Sequence, residues 1–92
     1  MTKQDIIELV ARYDAELKLY PPERSDTSQV LAATPQAFGH LRWMCGQIKQ
    51  FAEEGRLDKC NRWLGFVQGA LWALGRGTID RFREDNVCAK SA

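Results

Sequence analysis

A chain of 92 residues argues for one domain. Its composition, 45% hydrophobic and 27% charged, is that of an ordinary globular protein and excludes a disordered or low-complexity chain. Thirteen basic residues against twelve acidic ones leave a formal net charge of +1, too little to steer nucleic acid or anionic lipid.

The first element opens at "TKQD", where Thr2 can cap a helix and Asp5 can reach back to the cap amide. Ile6, Leu9 or Val10, Tyr13 and Leu17 recur at helical spacing and predict a helix over about 3–19. It ends before "YPPERSD", because Pro21 and Pro22 cannot continue it. Residues 20–34 form the longest irregular stretch, a Pro-containing loop in which "DTSQVLAA" is expected to make a short turn capped by Asp26.

"TPQ" starts the second helix, with Thr34 as N-cap and Pro35 at the first helical position. The stripe Phe38, Leu41, Cys45, Ile48 and Phe51 or Ala52 carries it to about residue 54, and Gly55 supplies a left-handed stop. A third helix over 57–75 has an unbroken seam of Leu57, Cys60, Leu64, Val67, Leu71 and Leu74. The short connection makes helices two and three an antiparallel αα-hairpin. "GRGT" breaks the chain, Thr78 caps a last short helix over 78–85, and the tail "NVCAKSA" is expected to fray. The expected fold is therefore all-α over 1–92: N-terminal helix, long loop, central hairpin, short C-terminal helix.

Helix three carries more apolar surface than a surface helix needs. Trp63, Phe66, Ala70 and Ala73 form a second row beside the seam, and the two rows together span roughly 160° of arc against the ~100° of an ordinary stripe. Gly65 and Gly69 lie four apart with Ala73 continuing their line, and each helical glycine costs about 1 kcal/mol relative to alanine. Trp63, Gly65, Phe66, Gly69 and Ala73 are therefore expected to meet another copy of the chain. Trp72, outside both rows, is either an interface anchor or a cover for the core edge.

Catalytic chemistry finds no support. His40 and Cys45 share a helix but point about 140° apart, by the 100° step per residue, and Cys60 sits on the apolar seam, the reverse of an activated thiol. Glu53–Glu54 and Glu84–Asp85 read as solvated pairs at helix ends. Three widely spaced cysteines and one histidine give no metal motif. No catalytic residue, metal or cofactor is expected. The charged N-terminus has no apolar leader, and the uncharged run from Trp63 to Gly75 is short of the ~18–20 residues a bilayer span needs. A soluble cytoplasmic protein is expected.

Arginine is the exception. Eight of the basic residues are Arg, with Arg56, Lys59 and Arg62 in one row and Arg76, Arg81 and Arg83 following the third helix. Arginine forks suit phosphate, and tryptophans among them can stack a base.

"HLRWMCGQIKQF", "EGR", "RWLGFVQGALWALG" and "TID…DN" resemble small accessory proteins of tailed bacteriophages, over roughly 38–86. In layout the chain is also similar to phage sponges that sequester cyclic nucleotide signals of the CBASS and Thoeris defences. Tyr20-Pro21-Pro22 precedes the hairpin Phe38–Gly75, and Trp72 sits late in it. That resemblance implies a non-enzymatic homo-oligomer, acting in the host cytoplasm, with a cyclic nucleotide between subunits. Gly-rich "LGFVQGAL" stands where those sponges carry an alanine-rich, glutamate-containing helix, so the expected clamp comes from this chain's own content: Tyr20, Arg24, Arg56 and Arg62, with Trp72 stacking. The alternative is an inhibitor of a host defence machine, such as a CRISPR complex or nuclease, docking through Trp43, Trp72 and the basic row. A structural oligomer without ligand is a third reading.

Overall fold

The computed structural model describes residues 1–25 and 32–91; the expected turn at Asp26 therefore lies outside the described residues. Four helices make up an all-α fold: α1 (Lys3–Glu16), α2 (Pro35–Glu53), α3 (Leu57–Ala73) and α4 (Ile79–Ser91). α1 lies against α2 and also touches α3 and α4, while α2 and α3 pair as the hairpin.

The helix starts follow their local chemistry. Thr2 Oγ1 accepts the Asp5 amide at 3.1 Å, and the Thr2 amide donates to the Asp5 carboxylate at 2.9 Å. These bonds favour the ionised carboxylate, so the Asp5 pKa lies below its usual value, chiefly through the Thr2 amide. Thr34 Oγ1 accepts from the Ala37 amide and Thr78 Oγ1 from the Arg81 amide, which seats the starts of α2 and α4. At the stops, Gly55 and Gly75 have φ of 78° and 79°. That left-handed turn lets the Arg56 amide reach Phe51 O at 2.9 Å and the Arg76 amide reach Leu71 O at 2.8 Å.

Two boundaries differ from expectation. α1 ends at Glu16 rather than near 19, and Leu19 is exposed. Past this end the Arg42 guanidinium donates to the carbonyls of Lys18 and Tyr20 at 3.2 and 3.1 Å, and the same side chain pairs with Asp14 at 3.0 Å. α4 runs to Ser91 rather than stopping at 85. No glycine or proline interrupts 79–91, and Asn86 is tied to Gln68 of α3 by a reciprocal pair of hydrogen bonds, at 2.8 and 3.2 Å. The residues expected to fray are thus helical as far as Ser91.

The core is one cluster. Ile6, Leu9, Val10, Tyr13 and Leu17 of the first segment meet Phe38, Leu41, Cys45, Ile48, Phe51 and Ala52 of α2. From α3 come Cys60, Leu64, Val67 and Leu71, with Leu57 and Leu74 half-buried at the two ends of the seam. Phe82 closes the cluster from α4, edge-on to Tyr13 with ring centroids 6.0 Å apart. Burying each such aliphatic or aromatic side chain contributes about 1.5–3 kcal/mol. Both described cysteines are enclosed. Desolvation pushes the Cys45 thiol up to about 12, and it also raises Cys60, whose thiol donates to Ile48 O at 3.5 Å. Burial holds both thiols in the protonated form, the reverse of the shift that activates a cysteine.

Asp85 corrects an expectation. It is buried, not solvated. Its carboxylate accepts from the Tyr13 hydroxyl at 2.7 Å and pairs with Arg12 at 3.0 Å, while Gln68 Nε2 donates to the same hydroxyl at 3.1 Å. Burial first, then the Asp85 bond, hold the Tyr13 hydroxyl well above its ordinary pKa. This junction locks α4 onto α1 and α3.

Candidate ligand-binding face

The chain leaving α1 determines where one cation of the site lies. Residues 21–25, outside any helix, cross the first turns of α2. The Glu23 amide donates to Gly39 O at 3.1 Å, and the Ser25 amide to His40 Nδ1 at 3.0 Å. Gly39 is needed for this crossing, because a Cβ there would lie 2.7 Å from Pro21 O, a backbone atom that cannot swing away. The crossing places Arg24 Cζ 5.8 Å from the centre of the Trp43 ring.

From Trp43 an aromatic ladder continues along the side of the hairpin. His40 and Trp43 lie 5.5 Å apart, Trp43 and Trp63 6.0 Å, and Trp63 meets Phe51 edge-on at 5.0 Å. Trp43 and Trp63 are half-buried, each with one side packed on the core. Helical spacing puts His40 and Trp43 on one side of α2 and Lys59 and Trp63 on the facing side of α3, so the hairpin itself assembles the row. Lys59 Nζ sits 4.4 Å from the Phe51 ring centre and 5.8 Å from that of Trp63. Arg56 Cζ lies 5.1 Å from Phe51. Each such contact favours the cation over the ring face by about 0.5–2 kcal/mol.

At the far end the ladder opens into a shallow depression of about 420 Å³ around the start of α3, lined by Gly55, Arg56, Leu57, Asp58, Lys59 and Arg62. No side chain caps this helix start. Its first amides and the positive end of the helix dipole are therefore offered to solvent beside three cations and one carboxylate. Glu54 engages Arg56 at 3.5 Å, an exposed pair of little energetic weight.

The five expected clamp residues do not converge within one chain. Arg56 and Arg62 share the depression, and Arg24 caps the opposite end of the ladder. Tyr20 lies by the start of α2, its ring tilted against Phe38 with centroids 4.9 Å apart and its hydroxyl accepting from Arg76 at 2.9 Å. α2 is 19 residues long, about 28 Å, so Tyr20 and Arg56 stand at its two ends. Trp72 is on the exposed face of α3, ten residues from Arg62, or about 15 Å along the axis. The expected contact residues of α3 also divide. Trp63 packs on the core, whereas Gly65, Phe66, Gly69 and Ala73 are exposed. Residues that sequence reasoning passed over are His40, Lys59 and Phe51. Lys59 was seen only as part of a charge row, and its place over two rings depends on the register of the hairpin.

No group of three or more His, Cys, Asp or Glu among the described residues could hold a metal ion, and no described helix is long and apolar enough to cross a membrane. The chain matches no known family, no curated protein and no solved structure.

Proposed function

We propose that this chain is a non-enzymatic binding protein that sequesters a cyclic nucleotide signal, as a homo-oligomer, in the manner of a phage anti-defence protein acting in the host cytoplasm. The observation that supports the reading is one of continuity. A basic depression at an uncapped helix start runs directly, through Lys59, into a ladder of half-buried tryptophans. The depression suits a phosphate: amides, Arg56, Lys59 and Arg62 converge there. The ladder suits a base, since every base has a face to stack on indole. The phage setting rests on the sequence resemblance.

Calorimetric titration with a panel of cyclic di- and trinucleotides tests it. At least one member is expected to bind, with affinity falling about tenfold or more in Lys59→Ala and in Trp63→Phe, and falling as salt rises. A panel that gives no heat removes the reading. A second reading, an inhibitor docking on a host defence protein, draws on the exposure of Phe66 and Trp72, 56% and 51%. Capture of such a partner by the wild-type chain, lost in Trp72→Ala, together with a silent nucleotide panel, would favour it.

A further inference from the structure

We propose that residues 21–25 form a strap over the start of α2 whose docking is gated by protonation of His40, so that mild acid lifts Arg24 from Trp43 and opens that end of the aromatic ladder. The inference goes beyond the function proposed above. It stands on the geometry of the strap and not on a ligand.

The strap is held at close range. A Cβ on Gly39 would meet Pro21 O at 2.7 Å, so backbone lies against backbone. The Glu23 amide donates to Gly39 O at 3.1 Å, and the Ser25 amide to His40 Nδ1 at 3.0 Å. Arg24, between these two amides, has its Cζ 5.8 Å from the Trp43 ring centre. Tyr20, set against Phe38 and Arg76, stays with the core. Pro21 and Pro22, each fixed in φ, lie between that anchor and the bonded amides and let the strap move as one piece.

The bond to His40 exists in one protonation state. A backbone amide only donates, so Nδ1 must offer a lone pair and the proton of the neutral ring sits on Nε2. Imidazolium carries a proton on both nitrogens, which sets N–H against N–H at the Ser25 amide. The new charge also meets its own sign. His40 packs on Trp43 with ring centres 5.5 Å apart, and Arg24 already occupies that indole. Glu23 is the acidic group on the strap. One turn to either side of His40 on α2, Gln36, Ala37, Trp43 and Met44 carry no charge. Arg42 is turned to α1, where it holds Asp14. α3 is uncharged from Trp63 to Gly75, and Lys59 reaches only the far side of the ladder at Trp63 and Phe51. The Ser25 bond therefore fixes the sign: docking favours the neutral ring and weakens as pH falls through the range from about 8 to 5 in which histidine takes up a proton. His40 is the one histidine of the chain.

Amide exchange by NMR on the full chain between pH 8 and 5.5, corrected for the intrinsic pH dependence of exchange, tests the strap. Protection of the Ser25 and Glu23 amides is expected to fall together by about tenfold, the loss of one hydrogen bond, with the midpoint of the His40 ring signals. At pH 8 the ring nitrogens should read the Nε2–H form. Protection that does not change with pH, a fall at Ser25 alone, or an Nδ1–H ring at pH 8 overturns the proposal. His40→Gln, with its fold checked by circular dichroism, has no titrating ring and should hold strap protection constant over the same range; a tenfold fall in this variant overturns the assignment to His40. Glu23→Gln should keep the fall, and its loss there would give the titration to Glu23 instead. The nucleotide panel, run at both pH values, is read separately. Silence at both sinks the ligand reading and leaves the strap; binding beside a pH-independent strap does the reverse.

Discussion

Two regions of this molecule use the same residue types for opposite ends. At the junction of α1, α3 and α4, Tyr13, Arg12, Gln68, Asp85 and Asn86 satisfy one another within 3.2 Å, and Tyr13, Gln68 and Asp85 are buried. Along the outer side of the hairpin, Lys59 lies over the half-buried Trp63 and the edge of the core at Phe51, and at the start of α3 backbone amides have no side-chain cap. The first arrangement leaves nothing for a ligand to satisfy and holds the last helix in place. The second leaves its cations and backbone amides facing solvent. A polar group marks a binding site when its partners are incomplete, not when it is merely charged.

The largest effect is expected at the junction. Asp85→Ala removes the acceptor of the Tyr13 hydroxyl and the partner of Arg12, leaving a buried polar group unpaired; a loss of about 3–5 kcal/mol in urea unfolding is expected. A loss below ~1 kcal/mol would place the junction with the exposed pairs and erase the contrast.

The crossing at α2 sharpens it next. Gly39→Ala drives a Cβ to 2.7 Å from Pro21 O and displaces the segment that carries Arg24 to Trp43, at a cost of about 1–3 kcal/mol. Alkaline pH is a third probe. Cys45 titrates near 9.0 when unfolded and is pushed up to about 12 by burial, so the unfolded chain releases its proton first. Stability from this thiol is intact below pH 9 and falls at up to about 1.4 kcal/mol per pH unit from 9 towards 12. Tyr13, raised for the same reason, adds to the fall above 10. Unfolding measured between pH 8 and 11 should show that slope, and Cys45→Ala should flatten its lower part; a slope unchanged by the substitution would mean that the thiol is not desolvated.

What was readable in advance divides by range. Thr2 with Asp5, Thr34 with Pro35, and the glycines at 55 and 75 are contacts within a turn, and the structure has each where spacing placed it. The seam of α3 was equally plain. The second row was not. Trp63 and Ala70 turned to the protein and Phe66 and Ala73 to solvent, although all four share one apolar arc. A wheel gives angles about an axis but not which neighbours stand at those angles. Asp85 was misjudged for the same reason, since its partners Arg12 and Tyr13 lie more than seventy residues away.

By itself, then, the amino-acid order determined the order of the four helices, the caps at Thr2, Thr34 and Thr78, and the hairpin, because periodicity, capping and turn geometry act over a few residues. Only the packed structure decided that Asp85 is enclosed, that Arg42 takes the carbonyls past the end of α1, and that Arg24 and Lys59 meet the same aromatic ladder from two ends. Those outcomes depend on which helix faces which, and the free energy that selects among the alternatives is collected across the whole core.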